Sequence, residues 1–162
     1  MPGGKIVFYS GILPVAANED GLAAIMGHEV AHALLDHGGQ RMTISLAQQG
    51  LNIIAIKTTE NQPEKKRRAI LTAYGLGSTV GAVLPFSRKH EKEADQIGLD
   101  LMAIAGFNPE EAPRLWERMK AASGGKAPPE ILSTHPSNER RINDLTKWIP
   151  LAKKRAQEIN GK

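Results

Sequence analysis

The chain has 162 residues, a length that suits one domain with one hydrophobic core. Its formal net charge of +4 comes without interleaved basic and aromatic residues, which argues against a nucleic-acid-binding protein. It contains no cysteine, so disulfides and cysteine-ligated metal sites are excluded, and any bound metal must be held by His, Asp or Glu side chains.

The first predicted element is a β-strand over residues 5–13, which are rich in β-branched and aromatic side chains and end at Pro14. It is the only convincing strand, so the pattern predicts an α+β, mostly α fold with a small sheet and about six helices. Residues 1–5 lack the apolar region of a signal peptide. We therefore expect either a cytoplasmic protein or a chain whose natural start has been cut away.

The next predicted element is a helix that carries the sequence Gly-His-Glu-Val-Ala-His over residues 27–32. His28 and His32 lie one helical turn apart on one face, so both imidazoles can reach a single metal ion. Glu29 is rotated by about 100° from His28, where a general base for a metal-activated water belongs. Alternatively, the three residues are polar groups on a solvated face, and the motif needs a third ligand to be decisive.

The middle of the chain is predicted to form a helix over residues 40–57 and a polar loop. A basic cluster at residues 65–68 then precedes an uncharged run over residues 69–87. Such a pair can mark a membrane segment, but the run is near the minimum spanning length and contains Gly, Ser and Thr. A buried or interfacial helix is therefore favoured.

A further helix is predicted over residues 88–105, with Glu91 and Asp95 on one face. Two histidines and Glu91 would hold zinc with one position left for water, the composition of a catalytic site. Asp95 could accept the free ring N–H of a ligand histidine. The alternatives are that both carboxylates are surface charges, or that Glu93 or Asp36 is the third ligand. Helices over 109–122 and 136–147 and a short tail helix complete the pattern.

The segment from Ser87 to Gly98, with its Glu-x-x-Ala-Asp sequence, resembles the second motif of the HtpX, CAAX-prenyl-protease and BepA group of zinc metallopeptidases. The similarity covers nearly the whole chain in order and is closest to the branch with the mitochondrial stress-activated inner-membrane peptidase and bacterial envelope lipoprotein peptidases. Four other segments carry it: residues 2–6, 108–109, 133–137 and 140–142.

The resemblance implies one Zn²⁺ per chain in a gluzincin-type site, with His28, His32 and Glu91 as the ligands. It implies that Glu29 is the general base and that Asp95 orients a ligand from outside the coordination sphere.

His135 is a further candidate for the implied site. By resemblance it lies near the metal, either as a fourth ligand in a resting state or as a hydrogen-bond donor to the transition state. The alternative is a histidine that caps a helix before Pro136. Arg140 is a candidate for substrate or oxyanion contact, and Val7 and Tyr9 belong to the strand that would present an extended peptide to the metal.

The implied function is that of a hydrolase, a zinc metalloendopeptidase that cleaves unfolded or misassembled proteins in protein quality control. The alternative is a latent or non-proteolytic zinc protein that binds extended clients, with His135 as the fourth zinc ligand.

Residues 1–162 are expected to form a single catalytic domain that lacks the group's N-terminal segment. Peptides and unfolded proteins are the expected partners, and membrane contact would come from a missing N-terminal anchor or from residues 65–87. The expected location of the full-length form is the bacterial periplasm or cell envelope, with the mitochondrial inner membrane and the cytoplasm as alternatives.

Overall fold

The computed structural model describes residues 10–123, 135 and 139–161. A 3₁₀ turn at Ser10–Ile12 leads into a series of α-helices. These are α1 (Leu13–Ala16), α2 (Glu19–Leu34), α3 (His37–Thr58), α4 (Glu64–Ser78), α5 (Leu84–Ile104), α6 (Glu111–Ser123) and α7 (Glu139–Ile159). A π-helical segment, Thr79–Val83, joins α4 to α5, so helical structure is continuous from Glu64 to Ile104.

The predicted small sheet is wrong, because the described residues contain no strand, whereas the mostly helical character agrees with the structure. The described end of the proposed strand, residues 10–13, forms the 3₁₀ turn and the start of α1. Pro14 lies in the first turn of α1, where its fixed φ favours a helix. Ile12 and Ala16 are both buried in the core, so their apolar spacing serves a helical turn. Residues 5–9 lie outside the described residues.

Two helix boundaries differ from the sequence prediction. Helix α5 begins at Leu84, upstream of the expected cap at Ser87, and α7 runs unbroken through Pro150. Leu145 and Ala152 lie on opposite sides of that proline and are both buried in the core. The free energy gained by packing these apolar residues of α7 on the core therefore outweighs the loss of the backbone hydrogen bond that the proline cannot form.

The chain divides into two compact units, residues 1–35 with 91–162, and residues 36–90. The prediction of a single catalytic domain is not tested by this division and stays a prediction. The first unit contains the hydrophobic core, whose larger members come from the 3₁₀ turn and helices α2, α5, α6 and α7: Ile12, Ile25, Leu99, Met102, Leu115, Trp116, Met119 and Leu145.

Helices α2 and α5 approach each other so closely that their backbones touch at two glycines. A Cβ added to Gly27 would lie 2.6 Å from the carbonyl oxygen of Gly98. A Cβ added to Gly98 would lie 2.7 Å from the backbone nitrogen of His28. Both contacts are too short for any side chain, so this crossing requires glycine on each helix. It brings the His-Glu motif of α2 beside the carboxylates of α5.

We expect Gly98→Ala to lower the free energy of unfolding by about 1–3 kcal/mol, because the backbones of α2 and α5 must separate to admit the methyl group. Gly50→Ala in α3 is the matched control, since a Cβ there meets nothing within 4 Å. That change should raise stability by about 0.5–1 kcal/mol. Urea unfolding measures both, and equal effects would contradict the close crossing.

Candidate metal centre

Four side chains bring one potential metal-ligating atom each into a single cluster. The atoms belong to His28, His32, Glu91 and His135 and all lie within 4.8 Å of one another. The Nε2 atoms of the first two histidines are 3.0 Å apart. The Glu91 carboxylate lies 3.4 Å from each of these nitrogens, through Oε2 to His28 and Oε1 to His32.

These separations suit a metal ion. Ligand atoms that share a tetrahedral zinc ion at about 2.0–2.2 Å lie roughly 3.4 Å apart, close to the observed spacing. Two imidazole nitrogens and one carboxylate are also a typical ligand set for catalytic zinc. The residues therefore fit a zinc ion. Glu93, one predicted competitor, is not part of the cluster, and Asp36 instead accepts a hydrogen bond from the Gly39 N–H at the start of α3.

His135 lies between the potential ligands and Glu29. Its Nδ1 is 2.8 Å from the Glu91 Oε2 and 3.1 Å from the His28 Nε2. Its Nε2 is 3.4 Å from the Glu29 Oε1. The histidine thus contacts both the ligand cluster and the carboxylate predicted to be the general base.

Asp95 and Arg141 contact the potential ligands His28 and Glu91 without belonging to the cluster. The Asp95 Oδ1 lies 3.0 Å from His28 Nδ1, so it can accept the ring N–H and leave Nε2 for a metal. Arg141 Nη2 donates to the same oxygen at 2.5 Å, and its Nη1 is 3.3 Å from the Glu91 Oε2. The guanidinium lies 3.4 Å from the centre of the Trp116 ring, a cation–π contact.

The sequence prediction gave no role to Arg141, and the role that it gave to the neighbouring Arg140, substrate or oxyanion contact, stays a prediction. The Arg140 side chain is 85% exposed and its nearest charged partner is Asp144, whereas the Arg141 side chain is 5% exposed. Adjacent residues point about 100° apart on a helix, so only one of the two arginines can face the cluster. Arg141 shares its buried face with Leu145, one turn later, and that spacing is the signal that could have identified it.

Buried hydrogen bonds set the charges of the cluster. Burial alone would raise the pKa of Glu91, but hydrogen bonds from His135, His28 and His32 hold this pKa well below its usual range. Glu91 is therefore a carboxylate at neutral pH. Burial lowers the pKa of His32. Burial opposes a charge on His28 too, yet hydrogen bonds to Asp95 and Glu91 outweigh it and raise the pKa of His28.

Residues 1–149 match the sequence pattern of peptidase family M48. The chain belongs to this family. No solved structure matches it significantly.

Among its M48 relatives, the "Mitochondrial metalloendopeptidase OMA1" of Schizosaccharomyces pombe is 42% identical over 94% of this chain and 43% of the relative. The OMA1 of Saccharomyces cerevisiae is 36% identical over the same shares of both chains. The "Beta-barrel assembly-enhancing protease" of Escherichia coli is 30% identical over 88% of this chain and 30% of its own length. The chain thus spans less than half of each of these relatives.

The remaining site predictions fall on residues that the structure does not describe. Val7 and Tyr9, named as substrate contacts, lie outside the described residues, as do the neighbours of His135 at positions 133, 134, 136 and 137.

We expect Arg141→Gln to weaken zinc binding about 10- to 100-fold, because this arginine positions Asp95 and Glu91, and loss of such supporting groups has effects of this size. Arg140→Gln is the matched control and should leave zinc affinity unchanged. Competition with a chromophoric chelator measures both affinities. Equal affinities in the two variants would show that Arg141 does not support the metal ligands.

Proposed function

We propose that this chain is the catalytic core of a zinc-dependent metalloendopeptidase. The observation that carries the proposal is the convergence of His28, His32 and Glu91 in one cluster with His135, whose other ring nitrogen lies 3.4 Å from the Glu29 carboxylate. Membership of family M48 and the names of the relatives support the same activity.

A zinc ion held by the two histidines and Glu91 would supply Lewis-acid activation of a water molecule and of the scissile carbonyl. Glu29 accepts a proton from the attacking water as the water oxygen bonds to the carbonyl carbon. The same carboxylic acid then donates that proton to the amine nitrogen as the carbon–nitrogen bond breaks. Glu29 thus ends the cycle in the state in which it began.

Three neighbouring side chains orient the ligands or compensate their charge. Asp95 fixes the tautomer of His28 by accepting its Nδ1–H. Arg141 places one positive charge beside Glu91 and Asp95 of α5 and limits the repulsion between the two carboxylates. His135 lies within reach of Glu29 and can donate a hydrogen bond to substrate oxygen at the same point.

The substrates we propose are unfolded or misassembled proteins, and the process is protein quality control. The name of the Escherichia coli relative, which refers to β-barrel assembly, supports this class of substrate. The same relative supports a place in the bacterial cell envelope for the full-length protein. The yeast relatives, named as mitochondrial, support a mitochondrial location, which we place at the inner membrane, as the alternative. A cytoplasmic location is the third possibility.

One observation favours a second candidate, a latent zinc protein that binds extended clients. His135 contributes a ring nitrogen to the same four-atom cluster as the three expected ligands, and its Nδ1 is 2.8 Å from the Glu91 Oε2. A fourth protein ligand would fill the position that a catalytic water needs.

We expect the zinc-loaded chain to cleave casein, and Glu29→Gln to keep its zinc while cleavage falls about 10²- to 10⁴-fold, the range for loss of a general base. Glu19→Gln, an exposed glutamate on the same helix, is the matched control and should retain activity. His28→Ala should lose the metal. Equal cleavage by the wild type and by Glu29→Gln would contradict the proposed peptidase activity.

His135→Ala separates the two candidate functions in the same assay. If His135 assists catalysis, the variant cleaves casein more slowly at unchanged zinc content. If His135 is a fourth ligand that keeps the protein latent, the variant cleaves faster than the wild type.

A further inference from the structure

The unit formed by residues 36–90 exposes most of its large apolar side chains. We call this unit the hairpin, since α3 and α4 run back to back through the turn at residues 59–63 and contact each other. Its exposed apolar residues are Met42, Leu46, Leu51, Ile53, Ile54, Ile56, Ile70, Leu76, Val80, Leu84 and Phe86. Soluble proteins seldom expose so large an apolar set, so this surface needs an occupant.

Polar and apolar side chains share the half-buried positions of the hairpin. Gln48 and Ser78 are half-buried, as are Ile44, Leu71 and Val83, whereas more of the large apolar residues on the same helices are exposed. A helix pair in water normally buries its large apolar residues between the helices and exposes polar ones. In lipid, apolar side chains on the outside of a helix pair are not unfavourable, because the hydrocarbon is as apolar as they are.

Residues 69–87, in the second half of the hairpin, have the length and composition of a membrane-spanning helix. Residues 69–87 contain no charged side chain, and 19 helical residues span about 28 Å, close to the roughly 30 Å of a hydrocarbon core. The helix Glu64–Ile104 contains an 18-residue window of mean hydropathy 1.5, of which 0% is buried. A core helix of a soluble protein can be equally apolar, but it would be mostly buried.

Basic residues bracket the uncharged run on both sides. Residues 65–68 are Lys-Lys-Arg-Arg, and Arg88 and Lys89 follow the run directly. On α3, Arg41 and Lys57 bracket the uncharged residues 42–56 in the same way. Lys and Arg at such positions complement anionic headgroups, each adding to membrane affinity. A partner protein or a second copy would not require cations at both ends of an apolar segment.

We propose that the hairpin is a lipid-binding element that inserts residues 69–87 into the hydrocarbon of an anionic bilayer, with residues 65–68 at the headgroups. The proposal does not depend on the peptidase activity, because it rests on a different unit of the chain. It predicts that the protein works on a membrane surface even without any further anchor.

Flotation of the full chain with vesicles tests this inference. The chain should float with vesicles of 30% phosphatidylglycerol in phosphatidylcholine and should stay bound in 1 M NaCl once inserted. The double variant Leu76→Glu/Val80→Glu should bind at least about 50-fold more weakly, since acidic residues are strongly disfavoured in hydrocarbon. Lys65→Gln/Lys66→Gln should bind these vesicles about 10- to 30-fold more weakly but pure phosphatidylcholine equally.

Ile159→Glu on α7 is the matched control, because Ile159 and Leu76 are both 64% exposed. It should float as the wild type does, and all variants should keep the wild-type circular dichroism spectrum. The proposal is overturned if the wild type fails to float, or if Leu76→Glu/Val80→Glu floats equally well. It is also overturned if light scattering shows a lipid-free dimer that this variant abolishes, since a second copy would then cover the surface.

Discussion

The contact between Gly27 and Gly98 is the constraint on which the rest of the site depends. A histidine or glutamate ligand can reach a shared ion only if the helices that carry it lie at the right separation. Because neither glycine has a side chain, the backbones of α2 and α5 meet one residue before His28. The ligand atoms of the two helices then lie 3.4 Å apart, with no loop needed to position them.

This close crossing places one buried carboxylate, Asp95, and one partly buried carboxylate, Glu91, near each other, which is unfavourable unless the charges are compensated. Arg141 provides that compensation from α7, a helix distant in the sequence. Trp116 on α6 covers the guanidinium. Helices α2, α5, α6 and α7 therefore all contribute side chains to the site, as ligands, as a charge partner or as a cover.

The parts of this arrangement that follow helical periodicity could be predicted from the sequence. The spacing of His28 and His32, and the later appearance of Glu91 and Asp95 one turn apart, placed these side chains on the faces that the structure brings together. Their roles as ligands stay predictions. The cap of α2 was also predictable, and Asn18 accepts a hydrogen bond from the Gly21 N–H.

The parts that depend on tertiary packing could not be read from local patterns. The β-branched run before Pro14 suggested a strand, but its described end packs as helical turns on the core. The packing of α7 on the core buries Arg141 and leaves Arg140 exposed, and Pro150 is tolerated because of the same packing. The need for glycine at position 98 arises only from the approach of another helix.

Anomalous diffraction at the zinc edge from a crystal of the zinc-loaded chain would locate the metal ion. We expect one zinc peak per chain, bound by His28, His32 and Glu91, with Asp95 on the far side of His28. A zinc peak elsewhere, or a coordination sphere without Glu91, would contradict this prediction.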